Sequence, residues 1–135
     1  MANRTFYPSF SYGMGRVYLE ARFTCNGVSA PLATSIDGSD SIATLAHATI
    51  SNIFTVTLKD SFYKVISASA DFVVTSAVGN YVSVGGFTNE GTATPLVMSL
   101  STFVAAGTVF NDPANTNQIG FSIALKNTVT SAGIK

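Results

Sequence analysis

Most of the chain alternates apolar and polar residues with a period of two. Between residues 16 and 23 the apolar side chains occupy every odd position: Val17, Leu19, Ala21 and Phe23. Because successive side chains of a β-strand point to opposite faces, this pattern predicts a half-buried strand. The segment QIGFSIALK, residues 118–126, repeats the pattern and places four residues on one side: Ile119, Phe121, Ile123 and Leu125.

The stretch FTVTLKDSFYKVISASADFVV, residues 54–74, contains two further alternating runs. The first places Phe54, Val56 and Leu58 on one face, and the second extends from Tyr63 to Val74. Polar residues around Lys59 separate the two runs. Two alternating runs joined by a short polar turn predict a β-hairpin or a meander.

Weaker patterns predict the remaining strands at Ser41–Leu45, Tyr81–Phe87, Pro95–Val104 and Thr108–Phe110. Turn-forming pairs separate the runs: Asn26-Gly27, Asp37-Gly38, Gly79-Asn80, Ala106-Gly107 and Asp112-Pro113. Gly85-Gly86 is typical of a β-bulge or of the end of a strand. Many short strands at this spacing indicate a single all-β domain over residues 1–135, either an antiparallel β-sandwich or a small β-barrel.

Both ends of the chain depart from this pattern. TFYPSFSYG holds Phe6, Tyr7, Phe10 and Tyr12 around Pro8, and it predicts an extended N-terminal arm over residues 1–13. Such an arm either covers the core of its own domain or lies on a neighbouring subunit, where aromatic side chains are favoured contacts. The polar residues 127–135 predict a loose C-terminal tail.

Charge is scarce throughout the sequence. Charged residues make up 10% of the chain, against about 25% in an average protein, and seven basic residues balance seven acidic ones. A neutral chain is poorly protected from self-association, so we expect part of the surface to be buried against a partner. It also lacks the basic field that nucleic-acid binding requires. We expect no nucleic acid and no membrane as partners, and synthesis in a cytoplasm without a signal peptide.

Residues that carry chemistry are few and scattered. His47 is the single histidine and no G-x-S-x-G motif accompanies it, so an ordinary polar or half-buried histidine is the simpler interpretation. Cys25, the single cysteine, is interpreted as a packed thiol. The segment DGSD, residues 37–40, is interpreted as a turn rather than a calcium loop. The sequence therefore predicts no catalytic residues, no metal site and no cofactor.

Three segments together are similar to a family of known proteins. TFYPSFSYGMGRVYLEARFTCNGVSAP, SIDGSDSIATL and NIFTVTLKDSFYKVISASADF resemble the small capsid decoration, or cement, proteins of tailed bacteriophages. In that family a strand with RVYLE precedes a G-x-Y-T-V-T-L-x-D strand that leads into Y-K-V. Here Asn52-Ile53-Phe54 replaces the expected glycine and tyrosine, and FSIALKNT at residues 121–128 extends the similarity.

The resemblance implies a structural virion protein that decorates the outside of the capsid and stabilises contacts between capsomers of the major capsid protein. It further implies a homo-oligomer, trimer or dimer, located on the capsid outer surface after synthesis in the host cytoplasm. We take Phe6, Tyr7, Phe10 and Tyr12 as candidate interface residues, since aromatic anchors dominate many interfaces.

Two other structural roles compete with this interpretation. A phage tail or fibre module that binds a receptor or a carbohydrate is the alternative, although the absence of tryptophan counts against a sugar platform. A coat subunit of a small RNA phage has a similar length. Such a subunit requires a C-terminal amphipathic helix and a basic inner surface, and residues 112–135 predict neither.

Overall fold

The computed structural model describes residues 16–126 and contains two packed antiparallel sheets. Their strands are β1 (Arg16–Thr24), β2 (Ile42–His47), β3 (Ile53–Leu58), β4 (Lys64–Val74), β5 (Tyr81–Thr88), β6 (Val97–Phe103) and β7 (Gln118–Lys126). One sheet has the order β1-β7-β4 and the other the order β2-β3-β6-β5. The prediction of an all-β antiparallel fold is confirmed, and the architecture is a sandwich rather than a barrel. The predicted arm, residues 1–13, and the tail, residues 127–135, lie outside the described residues.

The core lies between the two sheets, and the alternating patterns decide which side chains fill it. In β7 every second side chain is buried, and β3 and β6 follow the same rule. The rings of Phe23 on β1 and Phe54 on β3 meet across the two sheets, with their centroids 5.3 Å apart. Both phenylalanines are 0% exposed, as are Leu100 and Ile119. The faces predicted for β1, β3 and β7 are therefore confirmed.

The prediction that residues 54–58 and 63–74 form a hairpin or a meander is wrong. Strands β3 and β4 both form, but they belong to different sheets, and β4 pairs with β7 instead. The connection crosses the end of the sandwich and places Phe62 in the core. Tyr63 then donates its N–H to the Lys126 carbonyl oxygen at 2.9 Å, which starts β4 beside β7. An alternating pattern identifies the buried face of each strand, but it does not identify the partner strand.

Smaller differences concern the weaker strands. Residues 108–110 form a single bridge, between Phe103 and Val109, where a strand was predicted. The weak pattern at residues 41–45 becomes β2, which ends at His47. A bulge between Val84 and Gly86 confirms the irregularity predicted for the glycine pair.

The turn at Gly38 fixes the long connection between β1 and β2 against the edge of β1. Asp37 and Arg22 exchange backbone hydrogen bonds of 2.7 and 2.9 Å. Gly38 itself has φ of +87°, and a Cβ atom there would lie 2.4 Å from the Glu20 carbonyl oxygen. No flexible side chain can relieve this contact, since the opposing atom belongs to the backbone of β1.

We expect Gly38→Ala to lower the free energy of unfolding by about 2 to 4 kcal/mol, through the clash and the left-handed backbone together. Gly107→Ala is the matched control, because Gly107 has φ of +81° and nothing within 4 Å of its Cβ position. The control isolates the backbone term, about 1 kcal/mol. Urea denaturation of both variants measures the difference, and equal losses would contradict the clash.

Candidate functional site

The predicted interface residues Phe6, Tyr7, Phe10 and Tyr12 lie outside the described residues. Their role in an interface stays a prediction. Residues 16–126 contain the remaining candidates, which are His47, Cys25 and the outward faces of the two sheets.

His47 is part of the packing between the sheets. Its ring stacks on Phe54 at a centroid distance of 4.2 Å and an angle of 9°. Nε2 lies 2.7 Å from the Ser51 carbonyl oxygen, and Nδ1 lies 3.3 Å from the Ser29 carbonyl oxygen. The side chain is 0% exposed, although the Asp112 carboxylate approaches Nε2 to 3.9 Å. These contacts stabilise the turn between β2 and β3. In the same turn the Ser51 hydroxyl oxygen accepts a hydrogen bond of 3.0 Å from the Ile53 N–H.

That turn is strained at its tip. Ile50 has φ of +53°, which is rare for a β-branched residue, and its side chain is 74% exposed. Its N–H donates to both carboxylate oxygens of Asp112, at 3.0 and 3.2 Å. His47 and Asp112 together therefore secure the backbone conformation of the turn.

Cys25 is buried next to the end of β1, as the sequence predicted for a packed thiol. The residue is 2% exposed and belongs to the core cluster. Burial raises the pKa of the thiol from 9.0 to about 12, and a hydrogen bond at the Cys25 backbone offsets part of this effect. The thiolate, which is the reactive form, is therefore disfavoured in the folded protein.

This raised pKa predicts a loss of stability at alkaline pH. The thiol ionises near pH 9 in the unfolded chain and stays protonated in the folded one, so its contribution is complete below pH 9. It is lost as the pH rises from 9 toward 12, by at most about 1.4 kcal/mol per pH unit. Urea denaturation of the native chain and of Cys25→Ala from about pH 8 to about pH 11 checks this. A difference between the two proteins that stays constant over this range would contradict it.

The outward face of the four-stranded sheet carries no formal charge. Strands β2, β3, β5 and β6 contain no Asp, Glu, Lys or Arg. Small hydroxyl, methyl and glycine positions cover most of this face, with aromatic side chains at one end. We call these residues the uncharged face: Thr44, Ala46, Ile53, Thr55, Thr57, Tyr81, Ser83, Gly85, Thr88, Val97, Ser99, Ser101 and Phe103.

The register of β3, β6 and β5 determines which side chains lie next to one another on the uncharged face. Ser99 lies between Thr55 on β3 and the Gly85-Gly86 bulge on β5, and all the side chains across this part of the sheet are short. The rings of Tyr81 and Phe103 stack at 5.2 Å at the edge. The result is a low surface of hydroxyl and methyl groups that crosses four strands.

The outward face of the three-stranded sheet is charged at both ends. Arg16, Lys126 and Lys64 lie directly opposite one another across β1, β7 and β4, and we call them the basic row. Further along the same sheet, three carboxylates line a depression of about 620 Å³. We call these residues the acidic group: Glu20, Asp37 and Asp71.

The middle of this face is low where small residues line it, although the half-exposed Tyr18 on β1 projects beside them. Ser69 and Ser122 share a hydrogen bond of 3.0 Å between their hydroxyl groups. Gly120 lies beside them, and a Cβ atom there would come within 3.0 Å of a Val73 methyl group. Arg22 also borders the depression, but its guanidinium donates to the Gln118 side-chain oxygen, at 2.7 Å from Nε. Arg22 is therefore engaged within its own chain.

Sequence reasoning missed both faces. The individual charges of β1, β4 and β7 are visible in the sequence, but their grouping into a row depends on the strand register. The uncharged face had a clearer signal, since the segments that form its four strands, residues 42–47, 53–58, 81–88 and 97–103, contain no Asp, Glu, Lys or Arg.

Comparison with known proteins identifies no relative. No family model, curated protein or solved structure matches the chain. Within residues 16–126, no helix is long and apolar enough to span a membrane. In the same part of the chain, no three His, Cys, Asp or Glu side chains are grouped so as to hold a metal ion.

Proposed function

We propose that this chain is a structural virion protein of a tailed bacteriophage, which decorates the outside of the capsid. In this role it is made in the host cytoplasm, carries no catalytic activity and stabilises contacts between capsomers of the major capsid protein. The resemblance of residues 5–31, 35–45 and 52–72 to decoration proteins suggests this role.

The observation that carries the proposal is the uncharged face. A contact surface without formal charges loses little free energy when water is removed from it, because no ion has to be desolvated. Depletion of charge at the centre is also what distinguishes interface cores from the rest of a protein surface. The uncharged face therefore suits contact with a large, preformed partner such as a shell.

Binding of this subunit would stabilise the assembled shell through mass action. A subunit that binds the assembled shell, and not its dissociated parts, lowers the free energy of the shell by an amount that grows with its concentration. Each contact needs only modest affinity, since many copies bridge neighbouring capsomers at once.

The aromatic residues of the N-terminal segment are proposed as additional anchors. We expect deletion of residues 2–12 to lower the occupancy of shells at least about tenfold, since aromatic side chains often dominate binding. A second variant, in which serine replaces Phe6, Tyr7, Phe10 and Tyr12, keeps the length of the segment. It therefore tests the aromatic side chains alone. Co-sedimentation with shells measures occupancy. Unchanged occupancy of both folded variants would remove the segment from the interface.

The experiment that tests the function uses heads from a phage that lacks this gene. Purified protein is added to these heads and to unassembled major capsid protein, and bound copies are counted after sedimentation. We expect saturable binding to heads, no binding to unassembled subunits, and a higher temperature of shell rupture. Absence of binding to heads would overturn the proposal, as would equal binding to unassembled subunits.

A further inference from the structure

Both ring nitrogens of His47 face backbone carbonyl oxygens. Nε2 lies 2.7 Å from the Ser51 oxygen, and Nδ1 lies 3.3 Å from the Ser29 oxygen. A carbonyl oxygen only accepts hydrogen bonds, whereas a neutral imidazole has one N–H group and one acceptor nitrogen. A neutral ring therefore donates to one of the two carbonyls and points a lone pair at the other. The imidazolium form carries an N–H on each nitrogen and donates to both.

The surroundings of the ring contain a counter-ion for this charge. The His47 side chain is 0% exposed, so bulk water does not replace either carbonyl as a partner. Within residues 16–126, the one carboxylate close to the ring nitrogens is that of Asp112, whose Oδ1 lies 3.9 Å from Nε2. Cys25 begins the segment that leads to Ser29, and burial raises the pKa of its thiol to about 12, so it stays uncharged. Phe54, which stacks on the ring from β3, does not titrate.

We propose that a second proton on His47 stabilises the β2–β3 turn against the segment of residues 25–29. In the charged form Nδ1–H donates to Ser29 and Nε2–H donates to Ser51, so one side chain joins two connections of the chain. Loss of the Nδ1 proton to solvent keeps the shorter bond to Ser51 and turns the contact with Ser29 into a repulsion between lone pairs. The turn is therefore held more firmly in acid than in base.

The backbone of this turn depends on such contacts because it is strained. Ile50 has φ of +53° and Asp112 has φ of +49°, a region that residues other than glycine rarely adopt. Strained residues of this kind persist only where their surroundings fix them in place. The Asp112 carboxylate accepts the Ile50 N–H at 3.0 and 3.2 Å, and it also faces Nε2 of His47. The positive ring therefore helps to keep this carboxylate under the strained turn.

Nitrogen-15 NMR of the native chain measures the protonation of the ring directly. Histidines change charge between about pH 5 and about pH 8, and carboxylates are mostly ionised throughout this range. At about pH 5 we expect an N–H on both ring nitrogens, with the Nδ1 proton lost first as the pH rises. A ring with a single N–H at about pH 5 would overturn the proposal, because burial would then exclude the charge.

Hydrogen exchange of backbone amides tests the effect on the turn. We expect the protection of the Ile50 N–H, corrected for the intrinsic pH dependence of exchange, to fall at least about tenfold as the ring loses its second proton. The Leu58 N–H is the internal control, because it donates to the Leu96 oxygen at 2.9 Å at the other end of β3. Protection that stays constant at both amides, or that falls equally at both, would overturn the proposal.

Two variants separate the charge of the ring from its packing. His47→Phe keeps an aromatic ring against Phe54 without the two nitrogens, and Asp112→Asn keeps an oxygen acceptor for the Ile50 N–H without the counter-ion. In both variants we expect the corrected protection of Ile50 to vary by less than about twofold over the same pH range. A tenfold fall that persists in His47→Phe would assign the effect to another group and overturn the proposal. Circular dichroism checks that each variant is folded, and the native-chain measurements decide the question without them.

This inference concerns the turn and is independent of what the uncharged face binds. A chain that binds heads while its ring stays neutral at about pH 5 would remove the proton-dependent turn and leave the proposed function in place. A charged ring in a chain that does not bind heads would have the opposite meaning.

Discussion

Phe54→Ala is expected to lower the free energy of unfolding by about 3 to 5 kcal/mol, the range for loss of a buried aromatic ring. Phe54 is 0% exposed and lies between the two sheets. Its ring contacts Phe23 on the opposite sheet and stacks on His47. The substitution would leave a cavity between the sheets and remove the stacking partner of His47. Urea denaturation measures the loss.

Tyr81→Ala is the matched control for this prediction. Tyr81 is also an aromatic residue of the four-stranded sheet, and it stacks on Phe103, but it is 41% exposed. We expect its replacement to cost about 1 kcal/mol or less, as a ring that borders solvent leaves little cavity. Similar losses of free energy for both variants would contradict the expectation that the buried ring of Phe54 stabilises the packing of the two sheets.

A lysine in the middle of the uncharged face should abolish most binding to shells. We expect Ser99→Lys to weaken shell binding by about 100-fold, since an unpaired charge buried in an interface costs several kcal/mol. Ser99 is flanked by Thr55 and Gly86, so a longer side chain can be accommodated without disturbing the core. Binding curves with purified heads measure the change.

Val78→Lys is the matched control for that substitution. Val78 is 96% exposed in the connection between β4 and β5, so the variant adds the same charge away from the uncharged face. We expect its shell binding to stay within about twofold of the native chain, because a distant exposed charge is screened by salt. Equal weakening by both lysines would assign the effect to net charge and not to the uncharged face.

The sequence predicts individual strands well because burial on one side imposes a period of two. The faces of β1, β3 and β7 could be assigned from alternation alone, since every second residue along each of these strands is apolar. The partner of each strand could not be assigned in this way. Strands β3 and β4 follow each other in the chain, yet the burial of Phe62 and the hydrogen bond from Tyr63 to Lys126 direct them into different sheets.

The candidate surfaces also depend on which strands pair, and alternation does not reveal this. Arg16, Lys64 and Lys126 are far apart in the sequence, and only the register of β1, β7 and β4 places them in one row. The structural role of His47 likewise depends on Asp112, whose position is set by the long connection between β6 and β7. Alternation carries no signal about such contacts between distant segments. The uncharged face is different, because its lack of charge is a property of the strands themselves.

The position of the chain on the virion shows whether it decorates the capsid. Electron cryomicroscopy of heads from the native phage, compared with heads that lack this gene, reveals where the chain resides. We expect additional density at regular positions on the outer surface of the shell, with the four-stranded sheet toward the major capsid protein. Identical shells in the two samples, or additional density on the tail alone, would contradict it.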